Sequence, residues 1–217
     1  MARTVCQRVY ARSSRSYDPA GEINKRVLIV FASRYGATQG IAQRIATILR
    51  QQGLETTVES AQRAGDPADF DAVVIGSAAY YFHWMKKAAE FVRRNRAALA
   101  DRPVWLFSSG PLGTKTIDEQ GRDLCVVTVP KEIEEFREAI HPREHRVFFG
   151  ALDRDKMGLT HRLMLKLPVN RDNAIFPLGD FRDWNEIEAW ARKIAHALKD
   201  SAAEAERPRE NSALIAR

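Results

Sequence analysis

The chain has 217 residues, 45% of them apolar and 29% charged, enough for one globular core, and no eighteen-residue apolar run that could cross a bilayer as a helix. Its two cysteines, Cys6 and Cys125, lie far apart and outside any C-x-x-C or histidine cluster; this argues against a disulfide framework and a metal site and points to a reducing cytoplasm. A net charge of +6 favours anionic partners, and with no nucleic-acid module in the sequence these are anionic lipid or a carboxylate-bearing substrate rather than nucleic acid.

Residues 1–24 are arginine-rich and lack the apolar core of a secretory signal, so they read as a disordered extension before a domain at 25–200. The run 27–31 is wholly apolar, the pattern of a strand buried on both faces. It ends in Ser33, Arg34, Tyr35, Gly36, Ala37 and Thr38. An amphipathic segment through Ile41, Ile45, Ile48 and Leu49 follows at once. A turn holding two hydroxyls and a glycine therefore sits at a helix N-terminus, where amide N–H groups and the helix dipole favour an anion. The loop matches neither the nucleotide-triphosphate pattern nor the dinucleotide fingerprint, which leaves a monophosphate as the natural guest. The alternative is a plain strand–helix turn capped by Thr38.

A second strand is expected at 55–60, after a helix stop at Gly53, and a third at 71–77, again ending in Gly-Ser. The next residues are Ala78, Ala79, Tyr80, Tyr81, Phe82, His83 and Trp84: two small side chains, which admit a flat ring, and then an aromatic patch that can stack on one. Alternatively, Tyr81, Phe82 and Trp84 staple the following helix, 85–95, to the core. A fourth strand, 103–110, also ends in small residues. A helix at 132–140, a fifth strand at 146–152 and a last helix at 184–199 complete the pattern, before a polar tail at 201–217. The connection 153–181 is long enough to be functional. In it Leu159, Leu163 and Leu167 share one helical face and Arg162 and Lys166 another. It reads either as a lid or peripheral membrane contact through 153–171 or as a helix packed on its own domain.

Five strands alternating with helices imply an α/β fold: a doubly wound, five-stranded parallel sheet with helices on both faces and right-handed crossovers. Ligands of such sheets bind beyond the carboxyl ends of the strands. Three strands here end in Ser- and Gly-rich loops, which makes a phosphate-bearing cofactor the stronger reading of the first loop.

Those three loops on a five-strand alternating chain resemble a flavodoxin-type FMN domain over about residues 25–200. Within that fold the chain is most similar to the bacterial menaquinone-dependent protoporphyrinogen oxidase group. The segment from Ile75 through Gly76 to Tyr80 carries this, together with Gly150-Ala151-Leu152 and the basic stretch containing Leu163-Met164-Leu165-Lys166. The resemblance implies that Ser33, Arg34, Tyr35, Gly36, Ala37 and Thr38 hold the FMN phosphate. It implies that Ser77, Ala78, Ala79 and Tyr80 lie along the ring system, and that Ser108, Ser109, Gly110, Pro111, Leu112 and Gly113 meet its pyrimidine edge and other face. It further implies an FMN-dependent, protoporphyrinogen oxidase-like oxidoreductase of haem biosynthesis. Electrons would pass from a reduced organic substrate, protoporphyrinogen IX being the candidate, to a quinone, in the cytoplasm or on the inner face of the membrane. No side chain reads as a catalytic acid or base. The alternative is a non-catalytic flavodoxin-type electron-transfer module that docks a protein partner. Two departures favour the enzyme: the loop 108–113 lacks the aromatic residue common in flavodoxins, and the chain is basic where shuttles are usually acidic.

Overall fold

A computed structural model describes residues 25–158 and 177–206. The expectations for 1–24, for Leu159 to Lys166 and for 207–217 lie outside the described residues.

The central sheet is built from β1 (Arg26–Ala32), β2 (Glu55–Ser60), β3 (Ala72–Tyr80), β5 (Val104–Ser109) and β6 (Glu144–Phe148), in the order β2-β1-β3-β5-β6. Every neighbour pair on this path is parallel. A short β4 (His83–Trp84) folds back on β3 as an antiparallel hairpin. The expected doubly wound α/β sheet is thus present, and the crossovers place α1 (Ala37–Gln51) on one face and α2 (Lys86–Arg94), α3 (Arg96–Ala100) and α5 (Glu132–Ile140) on the other.

Alternation along the strands divides the core. Val27 and Ile29 of β1, with Val74, Trp105 and Phe107, pack against α1 and the last helix, α6 (Trp184–Glu206). Leu28 and Val30, with Val73, Ile75, Val104 and Leu106, pack against α2, α3 and α5. Both sheet faces are covered, which is why these strands read as continuous apolar runs. On the α1 and α6 face, Gly76 lies beneath the Phe107 ring. A Cβ at position 76 would stand 1.9 Å from the ring's Cζ.

Three boundaries differ from expectation. Strand β3 runs on to Tyr80 and turns into β4 rather than ending at 77. The last helix runs on to Glu206 rather than stopping at 199, whereas the expected helix 85–95 is present as α2 and stops at Asn95, whose side-chain amide donates to Phe91 O at 2.9 Å. The fifth parallel strand is 144–148, not 146–152. Glu144 starts it because its carboxylate accepts from Trp190 Nε1 at 3.0 Å and from Lys193 at 3.1 Å. At Gly150 the chain leaves the sheet, and β7 (Ala151–Leu152) pairs antiparallel with β8 (Gly179–Asp180). A short α4 (Leu124–Val127), capped by Asp123, fills the long loop before α5.

Candidate functional site

The carboxyl ends of β1, β3 and β5 open on one cavity of about 620 Å³. Its first wall is the loop from Ser33 to the start of α1. Gly36 is the N-cap residue, with φ +88°, and no side chain caps the helix. Thr38 therefore sits inside the first turn and is not the cap. The Gly36 N–H donates to Ser33 Oγ at 3.0 Å, which leaves the Ser33 hydroxyl proton for another acceptor. Thr38 is 1% exposed, and its Oγ1 has no hydrogen-bond partner among the described residues. A buried hydroxyl without a partner costs free energy, and its place beside uncapped amides fits it to donate to an anionic acceptor. Thr38 Oγ1 and the helix dipole meet at a spot suited to a dianionic phosphate.

The second wall is the end of β3. Ala78 and Ala79 leave the cavity open, and Tyr80 stands at its side. Burial, with Tyr35 adding to it, pushes the Tyr80 phenol up to about 12, while Arg34 pulls the other way; the hydroxyl keeps its proton and remains a donor. Beyond Tyr80 the hairpin turns through two residues, Tyr81 (φ +51°) and Phe82 (φ +64°). Such turns favour Asn and Gly; bulky side chains with positive φ each cost about 1–3 kcal/mol and persist where surrounding contacts over-determine them. Those contacts are present. Glu132 accepts from the Trp84 N–H at 3.1 Å and pairs with His83 Nδ1 at 2.9 Å, and Phe82 O accepts from Lys131 N at 3.0 Å.

The third wall is Ser109, Gly110 and Leu112, backed by Gly150, Ala151, Leu152, Met157 and Pro177. A Cβ at Gly150 would lie 3.3 Å from both Leu112 Cδ2 and Ser109 Oγ, so glycine lets these two segments close on each other. Arg34 is the one charged residue among the described residues of the lining.

Of the residues expected from sequence, Ser33, Arg34, Tyr35, Ala37, Thr38, Ala78, Ala79, Tyr80, Ser109, Gly110 and Leu112 line this cavity. Gly36 forms the cap behind it. Ser77 and Ser108 do not line it: both are fully buried. Ser77 Oγ donates to Ala78 O at 2.9 Å and accepts from Met85 N at 3.0 Å, tying down the hairpin base. Ser108 Oγ accepts from Trp84 Nε1 at 2.7 Å and bonds His145 Nε2 at 2.8 Å. Pro111 and Gly113 also fall outside the lining. Sequence reasoning left Tyr81 between ring stacking and core packing, and it missed Gly150, Ala151, Leu152, Met157 and Pro177 as lining. The carboxyl-end rule, applied to the fifth strand as well, points to the Gly150 to Leu152 group.

Two ionisable side chains outside the cavity lining are set by burial. The Cys125 thiol is pushed up to about 11 by burial and by Asp123, so it is not a nucleophile at neutral pH. His145 is pushed down to about 4 by burial, with Arg137 contributing. A histidine held neutral in the fold is protonated more readily once unfolded. Stability is therefore full above the unfolded value near 6.5 and is lost as pH falls from there toward about 4, by at most about 1.4 kcal/mol per pH unit. Thermal midpoints of wild type and His145→Gln measured across that window should converge at the acid end. Parallel curves would remove His145 as the cause.

Comparison with known proteins agrees with this architecture. Residues 28–174 match the family described as the flavodoxin domain. A curated relative from Escherichia coli strain K12, "Protoporphyrinogen IX dehydrogenase [quinone]", is 26% identical over 176 residues, covering 79% of this chain and 95% of the relative. Among solved structures, a flavodoxin from the domain Archaea superposes with TM-score 0.50 at 15% identity, over 80% of this chain and 99% of that one. A rubredoxin oxygen:oxidoreductase from Desulfovibrio gigas superposes with TM-score 0.52 at 13% identity, over 82% of this chain and 37% of that one.

Proposed function

Because the chain belongs to the flavodoxin domain family, we propose that it is an FMN-dependent oxidoreductase that takes electrons from a reduced organic substrate and delivers them to a quinone-type acceptor. The observation that carries this is the partnerless, buried Thr38 hydroxyl beside an uncapped helix N-terminus, opening into a cavity walled by Ala78, Ala79 and Gly110. These residues fit the cofactor. Thr38 Oγ1, the Ser33 hydroxyl and the first amides of α1 would hold the phosphate. Ala78, Ala79 and Gly110 leave room for a flat ring, with Tyr80 alongside as a donor. Leu112, Leu152 and Met157 supply apolar walls that exclude water. When bound, FMN supplies the redox chemistry itself. The protein's part is to bind, orient and shield.

The relative's name supports protoporphyrinogen IX as donor and a quinone as acceptor. An electron-transfer module docking a protein partner is the second reading. Such a module is served by an acidic rim around the flavin, and the described lining carries no acid, only Arg34.

Purified protein is expected to be yellow, and heat should release FMN, identified by chromatography. Release of FAD, or a colourless protein that takes up no added FMN, overturns the cofactor assignment. For the substrate, growth of an oxidase-deficient bacterium without added haem should be restored by this chain. Failure to restore growth by a protein that loads FMN would argue for the module instead.

A further inference from the structure

The two side chains at the hairpin tip do nothing for the core. Tyr81, which lines the cavity, is 87% exposed, and Phe82 beside it is 51% exposed. Both are held at positive φ, where Asn-Gly would sit without strain. The base of the hairpin is clamped by Ser108 through Trp84, by Glu132 and by the Lys131 backbone. The clamp presents two rings to solvent that a stable fold does not require. Basic residues lie close by in the chain and at the clamp. Lys86 and Lys87 open α2 directly after the hairpin, Lys131 is bonded through its backbone to Phe82 O, and all three are exposed. Arg34 acts on Tyr80 in the same lining. The nearby acids are partly engaged: Glu132 on the hairpin and Glu90 with Lys86 at 3.7 Å.

Exposed aromatic rings flanked by lysines have the chemistry of an element that enters the interface of an anionic bilayer. Aromatic rings settle at headgroup depth, and each nearby lysine adds attraction to acidic lipid. No helix among the described residues is long and apolar enough to cross a membrane. We propose that the β3–β4 hairpin tip docks the protein on an anionic membrane, with Tyr81 and Phe82 in the interface and Lys86, Lys87 and Lys131 on the headgroups. This sets the cavity mouth against the lipid, where an apolar quinone resides. The purpose of the contact rests on the function proposed above, but its detection does not.

The test uses full-length, cofactor-loaded protein and vesicles of equal phosphatidylcholine and phosphatidylglycerol, with pure phosphatidylcholine as control. Wild type should co-sediment with the anionic vesicles only. Removing the charges of Lys86, Lys87 and Lys131 by Gln should weaken binding roughly a hundredfold, about fivefold for each. Tyr81→Asn with Phe82→Gly should weaken binding at least about tenfold yet raise the thermal midpoint by a few degrees, because the turn is relieved. Phe82→Trp should add blue-shifted emission that brominated lipid quenches. Wild type that ignores anionic vesicles overturns the proposal, as does a double variant that binds like wild type. Binding lost only in Arg162→Glu with Lys166→Glu assigns the contact to 159–166 and overturns it too. An effect confined to the KM for a soluble quinone would make the tip a ring platform instead. FMN content is read in every sample. Protein that binds vesicles through the tip but never holds FMN would end the cofactor reading and leave this one standing.

Discussion

Replacing Thr38 with valine is expected to make the cofactor-free protein more stable to heat and to weaken FMN binding by one to two decades. The two effects share a cause. The Thr38 hydroxyl is buried without a partner, so exchanging it for a methyl of nearly the same shape removes a desolvated polar group, a gain of about 1 kcal/mol. With a phosphate in place, the same hydroxyl would donate to a charged acceptor, an interaction of about 1.5–3 kcal/mol, and tenfold in affinity corresponds to about 1.4 kcal/mol. Riboflavin, which has no phosphate, should bind both proteins alike. Calorimetry of the apoprotein and fluorescence titrations with both ligands separate the outcomes. Equal losses for FMN and riboflavin would mean that Thr38 shapes the helix end and does not touch phosphate.

Gly76→Ala should be among the most damaging single-methyl changes in the chain. The new Cβ would lie 1.9–2.4 Å from three atoms of the Phe107 ring. That ring is fully buried and hemmed in by Phe148 at 6.1 Å and Trp190 at 6.2 Å between centroids, so it has nowhere to go. Overpacking of a dense core costs about 1–3 kcal/mol and occasionally more. The rigid surroundings place this case at the upper end, a fall in thermal midpoint of roughly 6–12 °C. Adding Phe107→Leu should recover part of the loss, because the smaller side chain vacates the space. A Gly76→Ala protein as stable as wild type, or a double variant no better than the single, would show that the ring yields freely.

The parallel strands were readable because both their faces are buried, which writes them as the continuous apolar runs 27–30, 72–75 and 104–107. Helix α5 was legible to its ends through Ile133, Phe136 and Ile140. Two features were hidden for physical reasons. The β3–β4 hairpin lacks the Gly or Asn that marks such a turn; its conformation is enforced by Glu132, 48 residues from Trp84 in sequence. The fifth strand begins with Glu144 and His145, polar residues that look like loop until Trp190, Lys193 and Ser108 meet them in three dimensions. The site divides the same way. The wall built from contiguous residues, Ser33 to Thr38, was visible in the chain. The wall made by Gly150 to Leu152 with Met157 and Pro177 exists only because the topology brings it there. Ser77 and Ser108 suited the chemistry, but the fold spends their hydroxyls on the hairpin and on His145.

The pairing of β7 with β8 also bears on how this chain can be re-engineered. Ala151 opposite Asp180 and Leu152 opposite Gly179 form a stem, and Arg182 fastens its far side through Asp180 at 2.7 and 2.6 Å and the Ala37 carbonyl at 3.2 Å. Met157 follows β7 of this stem and Pro177 precedes β8, and both stand at the wall of the cavity. Re-engineering that wall therefore runs through a clamp of one arginine and one aspartate: loosening Arg182 or Asp180 shifts the wall while the five-stranded sheet keeps its own hydrogen bonds.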